Sequence, residues 1–187
     1  MTMDQTTRAP WRGGPIIGKS IRLRLAALDD AGFILDLRLD TSLNEFVSHV
    51  AADVEKQAQW LNDYKIREAS GSEYYFIIED LSRRPLGTVR IYDYQGDSFS
   101  WGSWMLIPSA PRNAAIESAL LIYELAFGEL GFNRAHFDVR KGNERVVAFH
   151  QRFGAYIVGE TESDYFFEYS RKTYKAIRRR YEKFLPA

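Results

Sequence analysis

The stretch from Pro108 to Ala155, PSAPRNAAIESALLIYELAFGELGFNRAHFDVRKGNERVVAFHQRFGA, decides the fold. Ala115, Ala119, Ile122, Ala126 and Leu130 recur at helical spacing, and Leu121 and Leu125 widen the stripe. This predicts a long, deeply packed helix over Asn113–Leu130, with Gly131 as its C-cap. Ala135, Phe137 and Val139 alternate as a strand does, Arg140-Lys141-Gly142 turns the chain, and Asn143 begins a helix that Gly154 stops. A loop that opens a helix presents backbone N–H groups with no intrahelical partner, a ready anion site. A phosphate-bearing cofactor suits it.

Working outward, three strand-like runs precede this stretch: Tyr74–Glu79, Leu86–Tyr94 and Ser98–Ile107, separated by turn signals at Arg84-Pro85 and Gln95-Gly96-Asp97. An antiparallel meander is expected. Strict alternation would put Arg90, Tyr92 and Tyr94 on one face of the second run. In the third it would put Phe99, Trp101, Ser103 and Met105 together, with Trp104 opposite. Before the meander, Ile21, Leu23 and Leu25 alternate as a strand. Asp29 or Asp30 caps a helix carrying Phe33, Ile34 and Leu37, and Asp53 caps another carrying Val54, Ala58, Leu61 and Tyr64. After Gly154, strands are expected near Tyr156–Thr161 and Asp164–Ser170. Residues 1–20, rich in Pro, Gly and Thr, read as a flexible leader to a domain over 21–170. Residues 171–187 read as a basic C-terminal helix packed on the same domain.

A chain of 187 residues with 45% hydrophobic and 14% aromatic content can bury a core without metal or disulfide support. It contains no cysteine, so thiolate nucleophiles and Cys-ligated zinc are excluded. Lys plus Arg equals Asp plus Glu, 25 against 25, which provides no global field for nucleic acid. Neither a membrane-spanning stretch nor a signal peptide is evident, so a cytoplasmic protein without membrane or nucleic-acid partners is expected. The residues from Arg171 to Lys183 nevertheless concentrate positive charge on a helical pattern, most simply a solvated face.

The order strand, two helices, meander, helix, strand, helix, two strands resembles the GNAT N-acetyltransferases. The resemblance implies an α/β (α+β) fold with a mixed, mostly antiparallel central sheet flanked by helices. Two segments carry it most specifically: Gly87-Thr88-Val89-Arg90 and FGELGFNRAHFDVRKGNERVVAFHQRFGA. These look most like the branch that holds ribosomal-protein N-terminal acetyltransferases and amino-sugar acetyltransferases.

The family's pyrophosphate loop reads Q/R-x-x-G-x-G/A. Here it is Ala110-Pro111-Arg112-Asn113-Ala114-Ala115, with Asn113 in place of the middle glycine. Asn tolerates positive φ, so the loop shape is expected to survive, and Arg112 adds a cation. The resemblance implies acetyl-CoA as cosubstrate, held by Arg112, Asn113, Ala114 and Ala115, by the backbone of Met105, Leu106 and Ile107, and by Asn143. The family's N-x-x-x-x-x-x-Y segment is NERVVAFH here, which puts His150 where a tyrosine protonates the departing thiolate. An imidazolium with an ordinary pKa of about 6.5 suits that task. No metal is expected.

The third meander strand has no carboxylate after Asp97, so a base on it is missing. An acceptor amine of low pKa is therefore favoured, since a lysine amine near 10.4 is almost wholly protonated at neutral pH. Tyr75, Tyr92, Trp101, Ser103 and Trp104, with Arg90 nearby, suit a sugar ring or nucleotide base as one aromatic and polar wall; the resemblance implies that the link between the first two helices, which holds His49, borders the acceptor site. The expected activity is acetylation of a small-molecule amine, most simply a nucleotide-linked amino sugar of a surface-glycan pathway. A peptide N-terminus or a non-catalytic acyl-CoA-binding role are the alternatives, and a homodimer is compatible with each.

Overall fold

In a computed structural model, which describes residues 9–186, eight strands form one sheet in the order β1-β2-β3-β4-β5-β6-β8-β7. They are β1 Ile16–Ile17, β2 Ile21–Leu25, β3 Tyr74–Asp80, β4 Pro85–Gln95, β5 Ser98–Leu106, β6 Arg134–Arg140, β7 Tyr156–Glu160 and β8 Asp164–Ser170. All pairings are antiparallel except β5–β6, which is parallel. The helices are α1 Ala31–Leu39, α2 Val54–Ala69, α3 Ala114–Tyr123, α4 Glu144–Arg152 and α5 Arg171–Arg178. The expected meander is β3-β4-β5.

β3 sits centrally and is buried on both faces, which divides the core. Tyr74, Phe76 and Ile78 pack with α3, α4 and α5, whereas Tyr75 and Ile77 pack with Ile34 of α1 and with Leu61 and Tyr64 of α2. The expected long helix is α3 followed by a widened π turn over Glu124–Glu129, where the Leu130 amide reaches back five residues to the Leu125 carbonyl. Gly131 follows at φ 73, the left-handed C-cap expected of it. From Glu117 to Tyr123 every side chain of α3 is buried, because the C-terminal segment covers the face turned away from the sheet. Tyr174 donates to Glu124, Arg178 pairs with the same carboxylate at 2.6 Å, and Tyr181 stacks on Phe153 with centroids 4.6 Å apart. The basic segment is thus docked on one side.

The flexible leader expected over residues 1–20 is corrected for residues 9–20; residues 1–8 lie outside the described residues. Ile16 and Ile17 pair with Leu23 and Arg22. The Trp11 amide donates to Tyr74 Oη at 2.6 Å, its indole N–H donates to Glu129 at 2.7 Å, and its ring meets Tyr74 and Phe76 edge-on. Further on, buried Glu117 accepts from the Ser20 amide at 2.7 Å, the Ser20 hydroxyl at 2.6 Å and the Ile21 amide at 3.2 Å. Composition concealed this because one tryptophan and one carboxylate on a distant helix do the anchoring. Trp11→Ala is expected to lower stability by about 2 kcal/mol, as lost aromatic burial and the lost indole hydrogen bond to Glu129 require. Urea unfolding checks it, and an unchanged midpoint would show the anchor to be idle.

Candidate active site

β5 and β6 pair only at Ser98–Arg134 and Phe99–Ala135, then diverge. From Ser100 onward β5 has lost its neighbour on that side, and its edge can take an extended chain by backbone hydrogen bonding. The divergence coincides with a kink. Ser103 adopts φ 46, and the β4–β5 register shifts between Thr88–Met105 and Arg90–Gly102. Thr88 Oγ1 donates to the Ser103 carbonyl at 2.7 Å and holds the kink. Such a bulge re-aims side chains, and here it overturns the alternation expected for β5. Trp104 lies with Trp101, their centroids 5.2 Å apart, while Met105 pairs across from Thr88 on the opposite face.

The single wall expected of Tyr75, Tyr92, Trp101, Ser103 and Trp104 is therefore split by the sheet. Trp101 and Trp104 face α3, and their indole N–H groups donate to Tyr123 Oη at 3.2 Å and Ser118 Oγ at 3.1 Å. Trp101 is core, and Trp104 packs partly buried against it. Tyr75, Arg90 and Tyr92 lie on the α1/α2 face, where the Arg90 guanidinium sits 4.3 Å over the Tyr92 ring and 5.5 Å from that of Trp60. His49 is exposed in the α1–α2 connection. That connection crosses toward the opening: a Cβ on Gly142, in the β6–α4 turn, would stand 3.5 Å from the Phe46 ring.

At the other end of the opening, α3 starts one residue later than expected. Asn113 has φ −87 and ψ −8 and makes no side-chain cap, so the positive φ expected there is not used and the glycine-like reading of this position is corrected. The loop closes instead through the Ala114 amide on the Pro111 carbonyl at 2.9 Å. Among the described residues, no acceptor meets the amides of Ala115 and Ile116. With exposed Arg112 alongside, this end of α3 has the donors a pyrophosphate requires. The Ile107 amide is engaged by the Leu86 carbonyl, which leaves the kinked part of β5 as the edge for a pantetheine arm. Asn143 caps α4 through the Val146 amide at 3.4 Å.

His150 is 4% exposed and lies among Phe137, Trp101, Phe149 and Phe167, with ring centroids 4.3 to 5.8 Å away. Burial alone lowers its pKa from 6.5 to about 3. Burial thus disfavours the imidazolium expected from the sequence and argues against the general-acid role built on it. Of its two ring nitrogens, Nδ1 is sealed without a partner. The i, i+4, i+7 spacing of Asn143, Val147 and His150 did locate a shared helix face. It could not reveal that α4 turns His150 into an aromatic cluster.

Sequence reasoning missed Arg38, Phe46 and Trp60. A signal existed for Arg38, which continues the buried stripe Ala31–Ile34 of α1 at i+7 and i+4, a cation where an apolar residue belongs. Trp60 stacks on Tyr64 one turn along α2, with ring planes 5° apart.

A profile of the Acetyltransferase (GNAT) domain matches residues 20–156. No curated protein sequence matches the chain significantly. Among solved structures, one described as "Apo FdhC- a nucleotide-linked sugar GNAT" is 40% identical, with a TM-score of 0.85 over 92% of this chain and 98% of that one. An acetyltransferase of T. thermophilus, described there as putative, is 19% identical, with a TM-score of 0.74 over 92% of this chain and 97% of its own. Mutant forms of the spermidine/spermine N-acetyltransferase SpeG from Vibrio cholerae are 15% identical, with a TM-score of 0.69 over 85% and 98%. The kinked, half-unpaired β5, the open helix end beside it and the domain match agree, and the chain belongs to the GNAT acetyltransferase family.

Proposed function

We propose that the chain acetylates the amino group of a nucleotide-linked amino sugar, with acetyl-CoA as the acyl donor. The observation that carries this reading is the 40% identity, over nearly the whole of both chains, to a protein described as a nucleotide-linked sugar GNAT. The kink at Ser103 is compatible with it, because the acceptor is brought to an acyl donor lying along β5 from the face that holds Arg90 and Tyr92.

Acetyl-CoA supplies an activated acyl group. Arg112 and the free amides of α3 would hold its pyrophosphate, Asn143 and the β5 edge its pantetheine arm. The residues then have a limited task. The amine nitrogen forms a bond to the carbonyl carbon, the carbon–sulfur bond breaks, and the proton lost by nitrogen equals the one gained by sulfur. No net acid or base is consumed, so positioning and backbone donors suffice. His150 lines the core beneath β5 and supplies bulk. Glu73, the buried carboxylate beside Arg90, is already bound by Arg67 at 2.7 Å and Arg90 at 3.3 Å and is not a free base.

Thiol release from acetyl-CoA, measured against nucleotide-linked amino sugars, free amino sugars, polyamines and peptides, tests the reading. The highest kcat/KM is expected for a nucleotide-linked amino sugar. Preference for a peptide N-terminus, or no thiol release with any amine, would overturn it.

A further inference from the structure

On the α1/α2 face of the sheet, beside the kink of β5, two guanidinium groups converge with too little negative charge to balance them. Arg38 of α1 is partly buried, and its polar contacts are the Ser48 carbonyl at 2.9 Å and the Ser48 hydroxyl at 2.7 Å, both neutral. Its Nε is sealed without an acceptor. Arg90 of β4 is 22% exposed, and its Nε is likewise sealed and unpaired. Its one carboxylate, Glu73, is shared with Arg67. The buried Tyr75 phenol, 2% exposed, lies near Thr88 and within electrostatic reach of both arginines.

Arg67 and Arg90 thus share one carboxylate, and among the described residues no carboxylate pairs with Arg38, in a site where desolvation makes an unbalanced cation costly. Folding alone gains little from that arrangement, since a leucine or methionine at position 38 would fill the stripe of α1 without a charge. An anion that arrives with the acceptor would balance it. Arg90 pairs across from Gly102, the residue preceding the kink, so an anion there lies next to the reaction point. Tyr92 and Trp60 flank Arg90 with flat aromatic surface suited to a sugar or base. The like charge of Arg90 and burial both depress the Arg38 pKa, burial more strongly, which an anion would reverse.

We infer that Arg38 and Arg90 form an anion clamp that binds the diphosphate of the acceptor and so selects nucleotide-linked over free amino sugars. The proposal rests on the reading above for its acceptor but not for its anion. Arg38 reaches the acceptor from α1 while tying down the connection at Ser48, and Arg90 reaches it from the sheet. Arg67 remains on Glu73.

The test has two arms. First, uridine and thymidine diphosphates are titrated by calorimetry into the protein saturated with coenzyme A, so that the cofactor's own pyrophosphate site is filled. At least one is expected to bind, with Arg38→Gln and Arg90→Gln each weakening it by roughly tenfold or more, the loss typical of a charge-assisted contact. Absence of binding to the unaltered protein, or unchanged affinity in both variants, overturns the clamp. Second, kcat/KM is compared for a nucleotide-linked amino sugar and the methyl glycoside of the same sugar. The variants are expected to lose roughly tenfold or more on the first, through KM, and several-fold less on the second. Equal losses on both acceptors would show a structural role and overturn the proposal. If the first arm succeeds while neither sugar is acetylated, the clamp stands and the proposed acceptor falls.

Discussion

Gly87→Ala is expected to be among the most damaging single-methyl additions to this chain. Gly87 pairs with Leu106 across β4 and β5, and a Cβ built on it would lie inside contact distance of the Met105 carbonyl oxygen and 3.0 Å from Leu106 Cα. Both obstacles are backbone, so no rotamer change relieves them. The strands must part next to the Thr88–Ser103 hydrogen bond that holds the kink. A cost of about 3 kcal/mol or more is expected, the upper range for overpacking. Because the displaced strand is the one proposed to carry the acyl donor, residual folded protein should also lose acetyl-transfer rate. Thermal unfolding and thiol release measure the two effects separately. A variant with ordinary stability and rate would show that β4 and β5 approach less closely than the register implies.

The second large effect concerns His150 and acid. A histidine whose folded pKa is depressed contributes stability above the unfolded value of about 6.5, and that contribution is lost as pH falls from there toward the folded value of about 3. Over that window the unfolded chain binds one more proton than the folded chain. The wild type should therefore lose about 1.4 kcal/mol per pH unit more than His150→Phe, and about 4 kcal/mol in all by pH 3. Other groups titrate in the same range, but their contributions cancel in the difference between the two proteins. At neutral pH the Phe variant keeps ring bulk among Phe137, Trp101 and Phe167, and its kcat is expected to stay within roughly tenfold of wild type, well short of the loss from removing a positioned general acid. Urea unfolding across the pH series and neutral-pH kinetics decide it. Parallel stability curves together with a large fall in kcat would restore the imidazolium acid.

The sequence by itself determined the order of elements, because that order is written in periodicity and punctuation that act locally. The alanine and leucine stripe from Ala115, the left-handed turn at Gly131, the Asp53 and Asn143 caps and the turn at Gly96 each constrain only neighbouring residues, and each appears in place. The family followed from that order and from two motifs. Tertiary structure decided the candidate site, because its features depend on residues far apart in the chain. A one-residue kink at Ser103 moved Trp104 to the face of Trp101 and divided the expected wall. Packing of α4 on β6 and β8 buried His150 and lowered its pKa. Glu117, distant in sequence from Ser20 and Ile21, fixed a segment whose composition suggested freedom. The pairing of Arg38 with Arg90 arose only when α1 was laid on β4, since burial and the balance of charge are set by neighbours that local patterning cannot supply.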